Sequence, residues 1–270
     1  MKFTKVRLTG LNAIDLPIEG ALPSDPYILQ SADGLGPPEV DVSIAATLNT
    51  GGVYQGRRPQ NRFPVFLIGL NPDYSIGQTA SEMRSSLYGM LTPGYDDTVR
   101  IDLIDVDTVV ATTVGYVSKI EITPFSKDPQ VQVSMECLQP YLEAPNLLYI
   151  IPGGSKAAPE IQNEGTASTG FHMELTFNSG ASSWVLTDTR TGKKMEFIYD
   201  FIAGDKLTFD TRPGSRSVSL TRDLATSSII YTLTALSSWH MLYGGLNMFS
   251  TNFADFEWGD VYYQPKYWGI

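Results

Sequence analysis

Apolar and polar side chains alternate along most of this sequence, and that two-residue period restricts it to sheets with one covered face. From Gln130 to Cys137, the residues Val131, Val133, Met135 and Cys137 fall on one side, and Gln130, Gln132, Ser134 and Glu136 on the other. Thr98 to Leu103 and Tyr116 to Ile122 repeat the pattern. Phe171, Met173, Leu175 and Phe177 alternate with His172, Glu174 and Thr176. Turn residues separate these runs at short intervals. The stretch from Asp188 to Gly192 stands between Trp184–Leu186 and Met195–Phe201 as a hairpin, Gly204-Asp205 precedes Leu207–Thr211, and Pro213-Gly214 turns into Ser217–Thr221. The expected class is all-β and mainly antiparallel, in sandwiches or small barrels.

One segment keeps a different period. Thr79-Ala-Ser-Glu82 has the form of a capping box, Met83, Leu87, Met90 and Leu91 recur at helical spacing, and Pro93-Gly94 stops the run. This predicts one helix over about residues 80–91, laid on a sheet by its apolar stripe. Pro140, Pro145, Pro152-Gly-Gly154 and Pro159 then make the stretch after Leu138 unfit for a central strand. The expected organisation is two β-sandwich domains, 1–145 with the helix and 146–270.

Charge and cysteine content narrow the function classes. The 270 residues carry a net charge of −10, with −7 in residues 1–150 and −3 in residues 151–270. Phosphate contacts need clustered Lys and Arg, so a chain this acidic is a poor general binder of nucleic acid. Cys137 is the sole cysteine and His172 and His240 the sole histidines, so no internal disulfide and no four-ligand Cys/His zinc site can form. Met1 to Gly20 lacks the apolar core of a signal peptide, and the longest apolar stretch, Phe63 to Leu70, is far short of a bilayer span. A chain made in a cytoplasm, without a membrane anchor, is expected.

The motifs of catalysis are missing: no P-loop, no dinucleotide fingerprint, no nucleophile elbow and no His-Glu-x-x-His occur. His172 lies on the polar side of its strand, His240 follows Trp239 in an apolar stretch, and Cys137 lies on an apolar side. Asp102, Asp105 and Asp107 cluster at a hairpin tip. Asp255, Glu257 and Asp260 cluster near the C-terminus, where a glycosidase pair would need a cleft that sequence does not supply. No catalytic residue, cofactor or metal ligand is expected.

Two features ask for more than a core. Arg57, Arg58 and Arg62 fall within six residues, after Gly51-Gly-Val-Tyr54-Gln-Gly56, in the more acidic half. Either they form a salt-bridge loop within the chain, or they dock on carboxylates of a neighbouring copy, a heterologous contact that closes into rings. The second feature is aromatic. Phe253, Phe256, Trp258, Tyr262, Tyr263, Tyr267 and Trp268 crowd the C-terminus, as core, as interface or as shelves for sugar rings.

Several stretches, in order, resemble one family. Ser31-Ala-Asp-Gly-Leu-Gly-Pro-Pro-Glu39-Val-Asp-Val, Gly51–Gly56, Phe66-Leu-Ile-Gly-Leu-Asn-Pro72, Leu87-Tyr-Gly89 and Gly115–Phe125 are similar to the N-terminal part of siphophage distal tail proteins. Gly204-Asp205-x-Leu207-x-Phe209-Asp210-Thr211 and Ser238-Trp239-x-x-Leu242-x-x-Gly245-x-Asn247 resemble the second half of that family. Leu242-Tyr-Gly-Gly-Leu-Asn247 departs from its commoner Pro-Gly-Asn form, which bears on turn geometry.

The resemblance implies a tail-tube-like first domain, a galectin-like second domain and a hexameric ring. That ring joins the tail tube to the tail tip or baseplate hub in the virion. Its implied partners are its own copies, the tube protein, the hub and a tape measure or receptor-binding protein, with DNA only passing through the channel. Tyr54, Arg57, Arg58 and Arg62 are the expected ring contacts. The rival is a carbohydrate-binding module, with Trp239 and Trp258 stacking on host glycans.

Overall fold

A computed structural model describes residues 2–18, 22, 24–46, 52–91, 97–122, 128–150 and 160–269. Gly51, the Pro93-Gly94 helix stop, residues 123–125 of the family-like stretch, and the Pro152–Gly154 and Pro159 boundary signals lie outside them. The chain divides into two units: Met1–Pro145 with Tyr267–Ile270, and Asn146–Lys266.

The first unit runs β1 (Lys5–Thr9), β2 (Ala13–Pro17), β3 (Tyr27–Asp33), β4 (Val40–Ala46), β5 (Gly52–Pro59), β6 (Val65–Leu70), α1 (Ala80–Leu91), β7 (Val99–Asp105), β8 (Thr108–Ile122), β9 (Gln130–Cys137) and β10 (Leu142–Glu143). Its main sheet has the order β2-β1-β7-β8-β9-β6-β3, all antiparallel. The 15-residue β8 organises it. Residues 108–115 pair with β7 and residues 115–122 pair with β9, so one long strand serves two half-sheets. Both halves point side chains into one core, including Leu8, Leu16, Phe66, Ile68, Ile101 and Val133.

The helix forms as its sequence asks. The Thr79 hydroxyl accepts from the Glu82 amide at 3.2 Å, and the Glu82 carboxylate accepts from the Thr79 amide at 2.8 Å, which satisfies two orphan donors of the first turn. Met83, Leu87 and Leu91 are buried in the same core. The tip between β7 and β8 is a two-residue turn, Val106-Asp107, with both residues at positive φ. The hairpin expected around Asp105–Asp107 is therefore present, with Asp102 set inside the sheet and bonded to Arg100 at 2.7 Å.

The second unit runs β11 (Leu148–Ile150), β12 (Glu160–Asn163), β13 (Phe171–Phe177), β14 (Ala181–Asp188), β15 (Lys194–Phe201), β16 (Lys206–Asp210), β17 (Ser217–Arg222), β18 (Ala225–Ser228), β19 (Gly245–Thr251) and β20 (Phe256–Tyr263). Six strands, β11-β20-β13-β16-β17-β18, form one sheet, and four, β12-β19-β14-β15, the other. Trp184, Phe197, Phe209 and Phe256 interlock in the core that both sheets supply, with ring centroids 5.7–6.0 Å apart.

The family-like motifs of this unit are structural devices. Gly204, at φ +89, allows the turn in which the Asp205 carboxylate accepts from the Ile202 amide at 2.9 Å. The same carboxylate holds the Arg222 guanidinium at 2.8 and 2.6 Å. Asn247 carries out the equivalent task at the start of β19: its Oδ1 accepts from the Tyr243 amide and its Nδ2 faces the Tyr243, Gly245 and Ile161 carbonyls. A buried amide with four such contacts fixes a turn more firmly than any propensity.

One boundary departs from the expectation. Tyr267–Ile270 count with the first unit, not with 146–270. Tyr267 packs against the first core, and the Trp268 carbonyl accepts from Arg62 at 2.7 Å.

Candidate functional site

β4 and β5 form a two-stranded sheet that no other strand joins among the described residues. Cross-strand partners share a face, so the register places Val40 with Pro59, Val42 with Arg57 and Ile44 with Tyr54 on one side. Asp41 with Arg58 and Ala45 with Val53 take the other. A slip between Ser43 and Ile44 leaves one extra residue, Gln55, on β5. The apolar side chains are not covered: Ile44 is 63% exposed, Tyr54 60% and Val42 56%. Arg57 and Arg58 are exposed as well.

Arg62 has a different fate from the two arginines beside it. It is 2% exposed and forms a bridge with Cys137. Its guanidinium donates to the carbonyls of Gly34 (3.0 Å), Gly36 (2.6 Å), Pro140 (3.0 Å) and Trp268 (2.7 Å). Burial lowers its pKa from the usual arginine value. Arg62, expected beside Arg57 and Arg58 at a ring contact, is instead buried and spends its donors on its own unit, so the three do not form one exposed cluster. The same burial pushes the Cys137 thiol up, away from a reactive thiolate.

The candidate glycan shelves sit differently from one another. Trp239 is half-buried with the Arg216 guanidinium 5.6 Å over its ring. Trp258 is half-buried edge-on to Phe256 at 4.7 Å and lies 6.4 Å from Trp184. His240 is buried against the Leu186 carbonyl at 2.9 Å, and burial lowers its pKa. The carboxylates of Glu257 and Asp260 lie on exposed positions of β20. Among the described residues, no group of three His, Cys, Asp or Glu is placed to hold a metal, and no helix is long and apolar enough to cross a membrane.

An aromatic row was not legible in the sequence. Tyr149, Tyr262 and His172 are register partners across β11, β20 and β13. Their rings stand side by side, with Tyr149 and Tyr262 5.1 Å apart and His172 stacked on Tyr262 at 4.4 Å and 15°. Only the pairing of β20 with strands 90 and 113 residues earlier at this row creates it.

The chain is thus an all-β scaffold of two units, with one two-stranded arm, β4–β5, that no other strand joins among the described residues. Residues 164–267 match the family model described as siphovirus-type tail component, C-terminal domain. The match covers most of the second unit and agrees with the resemblance read from the sequence. Among curated proteins, none matches. Among solved structures, the crystal structure of the phage SPP1 Dit (gp 19.1) protein, described as a paradigm of the hub adsorption apparatus in phages infecting Gram-positive bacteria, aligns with a TM-score of 0.62 at 15% identity over 97% of this chain and 98% of that one. At that identity the likeness is one of fold. A chain of the phage P2 baseplate in its activated conformation with Ca aligns over 97% of both chains, with a TM-score of 0.40 at 8% identity.

Proposed function

We propose that this chain is a non-enzymatic adaptor whose copies close into a ring, six to a turn, at the distal end of a siphophage tail tube. The ring joins the tube protein to the tip or baseplate hub of the virion, assembles in the host cytoplasm, and lets DNA pass through its channel. The tape measure and a receptor-binding protein are its further neighbours.

The observation that supports self-assembly is the arm. A lone two-stranded sheet is marginally stable in water, and this one leaves Val42, Ile44 and Tyr54 uncovered. A neighbour that covers this face removes apolar area from water, and Arg57 and Arg58 supply cations to an otherwise acidic surface. The contact pairs different patches on each copy, which is the geometry that closes rings.

Light scattering on the purified chain tests it. The expected mass is six times 29.7 kDa. The double variant Arg57→Glu with Arg58→Glu is expected to remain folded and to run as a monomer. A concentration-independent monomer for the unaltered chain would overturn unaided ring closure, and an intact ring in the double variant would remove the arm from the contact.

A further inference from the structure

The first unit carries a second uncovered feature besides the arm. A groove of about 520 Å³ runs along α1, lined by Pro26, Tyr27, Ile76, Glu82, Ser86 and Met90. Past Pro26, Tyr27 and Met90 it continues into a hollow of about 400 Å³ that reaches Asp25 and the edge strand β2. The Tyr27 hydroxyl donates to the Met83 carbonyl at 3.1 Å, which fixes the start of β3 against the helix. The apolar part of the groove is uncovered: Ile76 is 75% exposed, and Pro26 is exposed as well.

The free charge of the groove is negative. The Asp25 carboxylate accepts from the Leu22 amide at 2.7 Å and the Glu82 carboxylate from the Thr79 amide at 2.8 Å, and neither meets a cation among the described residues. Lys5, which lines the hollow, is already held by Asp15 at 3.4 Å and Asp107 at 3.5 Å. The arm carries the opposite sign on its apolar face. There Arg57 stands with Val42, Ile44 and Tyr54, and no acid shares that side. Arg58 takes the other side with Asp41. An arginine fork suits a carboxylate, and the exposed aliphatic and aromatic side chains around it suit an apolar groove.

Position in the sheet separates the two surfaces. β3 and β6 pair along their length, from Tyr27 opposite Leu70 to Asp33 opposite Val65. The groove opens at the Tyr27–Leu70 end and the arm leaves at the Asp33–Val65 end, about 20 Å away for a strand of seven residues. Two complementary surfaces at opposite ends of one strand pair suit a head-to-tail contact between copies. We propose that the groove receives the arm of a second copy, with Ile44 and Tyr54 against Ile76 and Met90 and Arg57 against Glu82. This contact rests on the ring reading and gives the arm its receiving surface. Arg58, on the far side of the arm, takes no part in it.

Cross-linking between two full-length cysteine variants tests it. One chain carries Tyr54→Cys and the other Ile76→Cys, and the buried Cys137 stays silent. With a short bismaleimide, the mixed dimer is expected to form about tenfold faster than when Leu236→Cys, at an exposed position of the second unit, replaces Ile76→Cys. Adding Arg57→Glu to the Tyr54→Cys chain is expected to slow the reaction about tenfold, and Arg58→Glu less than about twofold. Glu82→Lys on the receiving chain is expected to restore the rate lost to Arg57→Glu, with circular dichroism checking that both chains are folded. Equal rates with Ile76→Cys and Leu236→Cys, or no rescue by the charge exchange in folded chains, overturn the groove contact. A ring mass by light scattering alongside that result leaves self-assembly standing on another surface. A cross-link specific to Ile76→Cys in a chain that scatters as a monomer supports the groove contact and removes unaided ring closure.

Discussion

Two hairpins of similar length, β4–β5 and β14–β15, arise from the same alternating pattern and meet opposite ends. In β14–β15, Trp184, Leu186, Met195 and Phe197 turn inward and are fully buried. In β4–β5, Val42, Ile44 and Tyr54 share a face and stay exposed. The difference lies in what stands opposite. β14 pairs onward with β19 and faces a six-stranded sheet, whereas β4 and β5 pair only with each other among the described residues. Alternation specifies a strand with two unlike faces; it does not supply the layer that covers one of them.

The sharpest way to break this comparison is to remove each hairpin's apolar anchor. Trp184→Ala empties the space among Phe197, Phe209 and Phe256 and is expected to cost about 4 kcal/mol in urea unfolding of the second unit. Trp184→Phe is expected to cost much less, because the indole N–H has no hydrogen-bond partner to lose.

The Asp205–Arg222 fork, which secures the turn after β15, comes next. Burial on its own would raise the Asp205 carboxyl, but the Arg222 fork, the Ile202 amide and the Arg222 charge outweigh it, and the pKa lies below the ordinary 3.8. A carboxyl depressed in the folded state stabilises above its unfolded pKa, and that stability is lost as pH falls through the folded value. Asp205→Asn is therefore expected to lower Tm by about 3 °C at pH 7. The gap from the parent should close as the pH drops through and below 4, and a gap constant from pH 7 to pH 3 would remove the ion pair from the account.

The smallest effect falls on the arm. Ile44→Ser is expected to change monomer stability by less than about 0.5 kcal/mol, as for an open surface site, while weakening self-association. A monomer cost above about 1 kcal/mol would mean that the arm is packed within its own unit, and the contrast between the hairpins would fail.

Much of the scaffold could be read from local pattern. The period of residues 130–137 and 171–177 matches β9 and β13, and the capping box with its stripe matches α1 at Ala80–Leu91. Turn chemistry located the hairpin at Asp188–Gly192. These succeed because each signal lies within a few residues of the structure it specifies. What escaped depends on distant pairing. Arg62 lies four residues after Arg58 in the same stretch, and only the approach of carbonyls from residues 34, 36, 140 and 268 marks it as buried. The aromatic C-terminus read as one group, yet Phe256 and Tyr263 belong to one core and Tyr267 to the other. The row of Tyr149, Tyr262 and His172 needs three strands in register before it exists.

The Arg62 clasp on Trp268 has a topological meaning. Lys5 and Trp268 both belong to the first unit, and residues 146–266 are an excursion from it. The chain leaves the first unit after Pro145 and re-enters it at Tyr267, so the second sandwich is spliced into the first, and the Arg62 bond to the Trp268 carbonyl fastens the returning strand.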